Sequence, residues 1–108
     1  MEVKRFENLP NDFSNLKNLN QASTVYLSSA RKSNGINELL DNNLSLFWQS
    51  NKKADCTENH FILYEFEKLE SIKYICINLN YDVDESYTPK QVVIKCGLYI
   101  EDLKVNIN

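Results

Sequence analysis

The sequence predicts an all-β sandwich, and three stretches carry that prediction. Residues 60–66, 72–81 and 91–96 each alternate apolar and polar side chains with a period of two. Ile62, Tyr64 and Phe66 share one face of the first, Ile75, Ile77, Leu79 and Tyr81 one face of the second, and Val92, Ile94 and Cys96 one face of the third. The opposite sides carry Asn78, Asn80 and Lys95, the half-solvated pattern of an antiparallel sheet with one face on a core. With 108 residues the chain fits one small domain, which would bury roughly 65% of its unfolded surface.

Taken in order, residues 1–21 form an N-terminal arm expected to be partly ordered, and residues 22–108 form the sandwich. In the arm Phe6, Leu9, Phe13, Leu16 and Leu19 make a loose apolar stripe, interrupted by Pro10 and many Asn and Asp. Thr24-Val25-Tyr26-Leu27 reads as a short strand. Arg31-Lys32-Ser33-Asn34-Gly35 reads as a turn, with Gly35 supplying the permissive backbone. Ile36, Leu39 and Leu40 have helical spacing, enough for one turn. A short apolar run then ends on the lone tryptophan, Trp48, and residues 51–59 make a polar loop. The three alternating strands follow, and Leu103, Val105 and Ile107 mark one more over residues 101–107.

Composition narrows the function. Hydrophobic residues make up 43% and charged residues 25%, ordinary for a folded chain. Net charge is −3 and no Lys/Arg cluster exceeds a pair, so a phosphate-binding surface is not expected and nucleic acid is a poor partner. No apolar run reaches the ~20 residues that span a bilayer, and the N-terminus does not read as a signal peptide. The expected location is the nucleus and cytoplasm, with no membrane partner. Cys56, Cys76 and Cys96 are widely spaced and form no Cys-x-x-Cys pair, which suggests neither a disulfide framework nor a zinc site. Cys76 and Cys96 fall in predicted strands, where a thiol acts as a small core hydrophobe.

The candidate chemistry is sparse. His60 is the only histidine, and a thiol hydrolase built on Cys56 and His60 has no nucleophile context around it; His60 is expected to open a strand and bond a neighbouring loop. Asp41, Asn42 and Asn43, and likewise Asp82, Asp84 and Glu85, resemble cation-binding runs but lack the ligand spacing of a calcium loop, and a solvated turn is the expected reading. Trp48 reads first as a core anchor. The connection over residues 81–89 is long, free of glycine and rich in contact-making groups: Asp84, Glu85, Ser86, Tyr87 and Thr88. A minimal hairpin would use two small residues, so this loop is expected to bind something.

Several blocks occur together in one order. Leu27-Ser28-Ser29-Ala30-Arg31-Lys32-Ser33-Asn34-Gly35 leads to Leu40-Asp41, then Phe47-Trp48-Gln49-Ser50, then His60, then Asp84-Glu85-Ser86-Tyr87-Thr88-Pro89. This order resembles the Doc-domain family, the subunit 10 family of the anaphase-promoting complex, a multi-subunit ubiquitin ligase. The resemblance covers the N-terminal two-thirds of the family pattern. Asn51-Lys52 stands where the family has Asp-Gly, Asn59 where it has Pro, and the loop from Ser50 to His60 is longer. The family's later strands, its Asn-His-x-x-Gly-Arg-Asp loop and its Ile-Arg tail have no counterpart in these residues.

The resemblance implies a galactose-binding-like jelly-roll β-sandwich whose C-terminal strands are missing. It implies a non-catalytic subunit, without cofactor or metal, that acts as a co-receptor for the destruction-box degron and sustains repeated ubiquitin transfer. The implied partners are other subunits of the complex, its coactivator and destruction-box peptides of substrates. The degron-binding residues it implies are Trp48, Gln49, Ser50, His60, Asp84, Glu85, Ser86, Tyr87 and Thr88. A carbohydrate-binding jelly roll is the competing expectation, with Trp48 and Tyr87 stacking on a sugar and Asp84 or Asn51 binding its hydroxyls. The uncovered apolar faces of a shortened sandwich lead to a further expectation, a chain ordered chiefly by its partners.

Overall fold

The computed structural model describes residues 15–43, 45–51, 59–79, 89 and 91–105. They belong to two compact units, one of Lys17–Glu70 and one that joins Met1–Leu16 to Ser71–Asn108. Among the described residues the named elements are short strands, one short helix and short 3-10 turns, with no long helix, in keeping with an all-β fold. Among the described residues no helix is long and apolar enough to cross a membrane.

The first unit is organised by an antiparallel pair. Strand β1 (Ser23–Leu27) and strand β2 (Ile62–Phe66) match residue for residue, from Ser23 opposite Phe66 to Leu27 opposite Ile62. Both are rich in β-branched and aromatic residues, which pack well on a pleated surface. Directly opposed residues share a face, so Ser23, Val25 and Leu27 stand with Phe66, Tyr64 and Ile62. This is the face expected from the alternation of Ile62, Tyr64 and Phe66. Its centre is Val25, 7% exposed and the only buried hydrophobic among the described residues. Tyr64 lies opposite Val25, and partial burial pushes its phenol above the ordinary 10.0, because the ionised form would lose hydration.

A 3-10 turn at Leu19–Ala22 leads into β1, capped where the Asn18 side chain accepts from the Asn20 amide. Helix α1 (Ile36–Leu40) packs on β1 and is the single helical turn expected here. Glu38 reaches back to accept from the Gly35 amide at 2.8 Å, satisfying a donor that the helix start leaves free. The helix stops at Asp41, whose backbone is extended. Asp41 Oδ1 then accepts from the Asn43 amide, and Asn43 Oδ1 from both the amide and the hydroxyl of Ser45. The acidic-amide run that resembled a cation loop is therefore a tandem of side-chain turns, its oxygens directed at nearby donors.

In the second unit strand β3 (Lys95–Cys96) pairs antiparallel with strand β4 (Lys104–Val105). The connection includes a 3-10 turn at Ile100–Asp102, closed by the Asp102 amide on Tyr99 O at 3.0 Å. A Cβ on Gly97 would lie 2.8 Å from Asp102 O and 3.1 Å from its carbonyl carbon, so the loop closes against a residue without a side chain.

Several sequence expectations change here. Residues 72–79 form no strand, and residues 91–96 are strand only at Lys95–Cys96. Alternation decides which side chains would share a face, but a ladder also needs a neighbouring strand. Without one the faces do not segregate: Ile75 is 53% exposed and Tyr74, expected opposite, 49%. Residues 101–107 divide into the 3-10 turn and β4, with the last residues outside those described. Cys76 and Cys96 are exposed free thiols rather than core residues: Cys76 lies in the run that forms no strand, and Cys96 in a two-residue strand whose residues are both exposed. Positive φ at the turn falls on Ser33 (69°), whereas Gly35 has φ −108° and serves as the helix cap. Most of the expected N-terminal arm lies outside the described residues.

Candidate functional site

At the Leu27/Ile62 end of the β1–β2 ladder two consecutive serines collect two segments that are distant in sequence. The Ser28 amide donates to Phe61 O, and the Ser28 hydroxyl accepts from the Phe61 amide, both at 3.0 Å. This fixes the chain immediately after His60. Ser29 faces the tryptophan segment instead. Its carbonyl accepts from Trp48 Nε1 at 2.8 Å, and its hydroxyl accepts from the Asn51 amide at 3.0 Å.

The turn that follows completes the grip. The Asn34 amide donates to Arg31 O at 3.0 Å, closing a β-turn with Ser33 in its third position. Positive φ at that position is the mark of a type II turn, usually met by glycine. Arg31 and Asn34, now side by side, hold Gln49 from both directions. The Arg31 amide donates to Gln49 O at 2.8 Å, and the Gln49 amide donates to Asn34 O at 3.0 Å. Asn34 Nδ2 donates to Phe47 O at 3.1 Å. Residues 47–51 are thus held by five hydrogen bonds from residues 29–34.

Trp48, Gln49 and Ser50 are half-buried and His60 is exposed. Trp48 has spent its single donor on the scaffold, whereas the side chains of Gln49 and Ser50 make no hydrogen bond among the described residues. His60 stands two residues ahead of β2 instead of opening it, and its imidazole bonds no neighbouring loop among the described residues; Phe61 makes the bonds there. The Ser28-Ser29 pair brings the chain at His60 and the segment at Trp48 to the same ladder end. Asp84, Glu85, Ser86, Tyr87 and Thr88, and likewise Cys56 and Asp82, lie outside the described residues. Sequence reading found the tryptophan block but not the roles of Ser28, Ser29 and Asn34; the available signal was a serine pair directly after a strand.

Beside the turn lies a depression of about 570 Å³, open to solvent and lined by Leu27, Ser29, Arg31 and the start of α1. Among the described residues no three His, Cys, Asp or Glu side chains gather as metal ligands would.

Paired short strands with a polar loop segment clasped at one ladder end define an all-β scaffold that presents loop side chains. The chain belongs to the family described as anaphase-promoting complex, subunit 10, whose family model matches residues 4–107. It is similar to anaphase-promoting complex subunit 10 of Dictyostelium discoideum, 41% identical over 78 residues, 72% of this chain and 39% of that protein. The Schizosaccharomyces pombe protein of the same name is 37% identical over 78 residues, again 72% of this chain and 39% of the relative. The Homo sapiens protein is 33% identical over 78 residues, 72% of this chain and 40% of the relative. The chain therefore spans about two fifths of the length of the curated relatives it matches. No solved structure matches it.

Proposed function

We propose that this chain is a non-catalytic, substrate-recognising subunit of the anaphase-promoting complex that helps receive the destruction box and prolongs ubiquitin transfer during cell division. The observation that carries the reading is the family match over residues 4–107. On this reading residues 22–108 are part of a galactose-binding-like jelly roll. The degron-facing groups are Trp48, Gln49, Ser50 and His60 at the ladder end, together with Asp84, Glu85, Ser86, Tyr87 and Thr88. The partners are the other subunits, the coactivator and destruction-box peptides, in the nucleus and cytoplasm.

The local geometry supports a peptide ligand. Small-molecule sites are concave and largely enclosed, whereas the depression beside the Ser29 clasp is open to solvent. An open surface flanked by loop side chains accommodates an extended chain. Acids and hydroxyls at residues 84–88 would suit basic groups of a degron through charge-assisted hydrogen bonds.

The test is purification of the tagged chain from its own cells with identification of what accompanies it. Ubiquitin-ligase scaffold and cullin-like subunits are expected, and their absence would sink the proposal. Within the complex, Ser86→Ala combined with Tyr87→Ala should weaken degron crosslinking without releasing the chain. Unchanged crosslinking would remove that loop from the receptor.

A further inference from the structure

Resting on that recognition reading, we infer that Ser29 and Asn34 are positioning residues for the 48–51 segment. Through that segment a peptide's main-chain amides are read by two neutral side chains, Gln49 and Ser50.

Several polar groups of the 48–51 segment are already in use. Adding a ligand as an extra strand needs free main-chain N–H and C=O groups. At Gln49 both are taken, the amide by Asn34 O and the carbonyl by Arg31 N. Indole carries one donor and no acceptor, and in Trp48 that donor is committed to Ser29 O. The Asn51 amide is committed to Ser29 Oγ. Among the half-buried side chains of the segment, the Gln49 carboxamide and the Ser50 hydroxyl make no hydrogen bond among the described residues and stay open to a ligand. Half-buried polar groups need a partner from water or ligand.

The chemistry of those two groups selects the class of ligand atom. A carboxamide presents an acceptor and a donor side by side, complementary to the N–H and C=O of a peptide unit, and a hydroxyl can do either. Neither group carries charge, so at this point the segment reads the course of a peptide main chain rather than its basic side chains.

Their aim depends on two upstream residues. Ser29 holds the segment at both ends, by its carbonyl at Trp48 and its hydroxyl at Asn51. Asn34 holds Phe47 O by its side chain and the Gln49 amide by its carbonyl. Losing the Ser29 hydroxyl would release the residue that follows Ser50.

The experiment uses the full 108-residue chain and a photo-crosslinking destruction-box peptide, with and without N-methylation of alternate main-chain amides. Gln49→Ala, whose side chain holds no structural bond, should capture the unmethylated peptide about fivefold less, the loss of one net neutral hydrogen bond. N-methylation should weaken capture by the wild type but add little in Gln49→Ala. Ser29→Ala should lower capture comparably and speed hydrogen exchange at the Asn51 amide, and Ser29→Thr, which keeps the hydroxyl, should restore both. Equal capture by wild type and Gln49→Ala, or equal loss on N-methylation in both, would overturn the inference while leaving the recognition reading intact. Failure of the wild type to capture any peptide would overturn the recognition reading and this ligand assignment together. Unchanged Asn51 exchange in Ser29→Ala would by itself overturn the positioning role.

Discussion

Replacing Trp48 by Phe removes one hydrogen-bond donor while leaving an aromatic ring in place, so it separates an anchor from a ligand-binding platform. The lost bond, Trp48 Nε1 to Ser29 O, is 2.8 Å long and part-buried. Its net contribution is about 1 kcal/mol, and the stranded Ser29 carbonyl brings the cost towards 2 kcal/mol, because a half-buried acceptor finds only partial hydration. Loss of the second ring's buried apolar surface adds about 0.5–1 kcal/mol. The expected total of about 2–3 kcal/mol would lower a urea midpoint by more than about 1 M for a domain of this size. Amide exchange is the local assay: Arg31 and Gln49, whose amides bridge the two segments, should lose protection first. Peptide capture should fall only in proportion to the unfolded fraction, because the aromatic ring proposed to face the degron is retained and only the donor to Ser29 O is lost. If the midpoint and both amides stay unchanged while capture collapses, the indole N–H serves the ligand rather than Ser29 O, and Trp48 is no anchor.

Three further outcomes follow from the same geometry. Ser33→Gly should stabilise the first unit by about 0.5–1 kcal/mol, read from the urea midpoint, because relief of a left-handed serine slightly outweighs the added chain entropy. Gly97→Ala should cost about 1–3 kcal/mol and speed exchange at the Asp102 amide, since the new Cβ would meet Asp102 backbone atoms that cannot rotate away. Tyr64→Phe should flatten the alkaline limb of stability. The folded phenol titrates above its ordinary 10.0, so its stabilisation is complete below pH 10 and is lost as pH rises through the folded value; equal alkaline loss in both proteins would exclude this.

Legibility of the sequence followed how far each element depends on distant chain. The strand at Thr24-Val25-Tyr26, the turn of helix at Ile36 and the strand ending at Phe66 were all legible, because local preference and the pairing partner lie in the same unit. Residues 72–79 carry as clear an alternation as β2 yet form no strand, since a period of two says nothing about whether a neighbour is present. Asp41 and Asn43 resembled cation ligands because a side-chain turn and a cation loop use the same oxygens; the missing calcium-loop spacing already favoured a turn, and the Asn43 and Ser45 donors complete it. Gly35 seemed the natural left-handed residue, but closure of the turn between Arg31 and Asn34 places that demand two residues earlier, on Ser33.

The site itself was half legible for a related reason. Trp48-Gln49-Ser50 stood out by residue type, whereas Ser28 and Ser29 are ordinary residues whose roles come from their position at the end of β1. The register that pairs Leu27 with Ile62 would next pair Ser28 with Phe61 through two main-chain bonds. One of them forms, from the Ser28 amide to Phe61 O, but the Phe61 amide goes to the Ser28 hydroxyl. A side chain thus substitutes for the backbone acceptor and ends the ladder one bond early. The next residue, Ser29, is then committed by both its oxygens to the tryptophan segment instead of to β2. Termination of the strand and assembly of the candidate site are therefore one event, decided by a hydroxyl at Ser28.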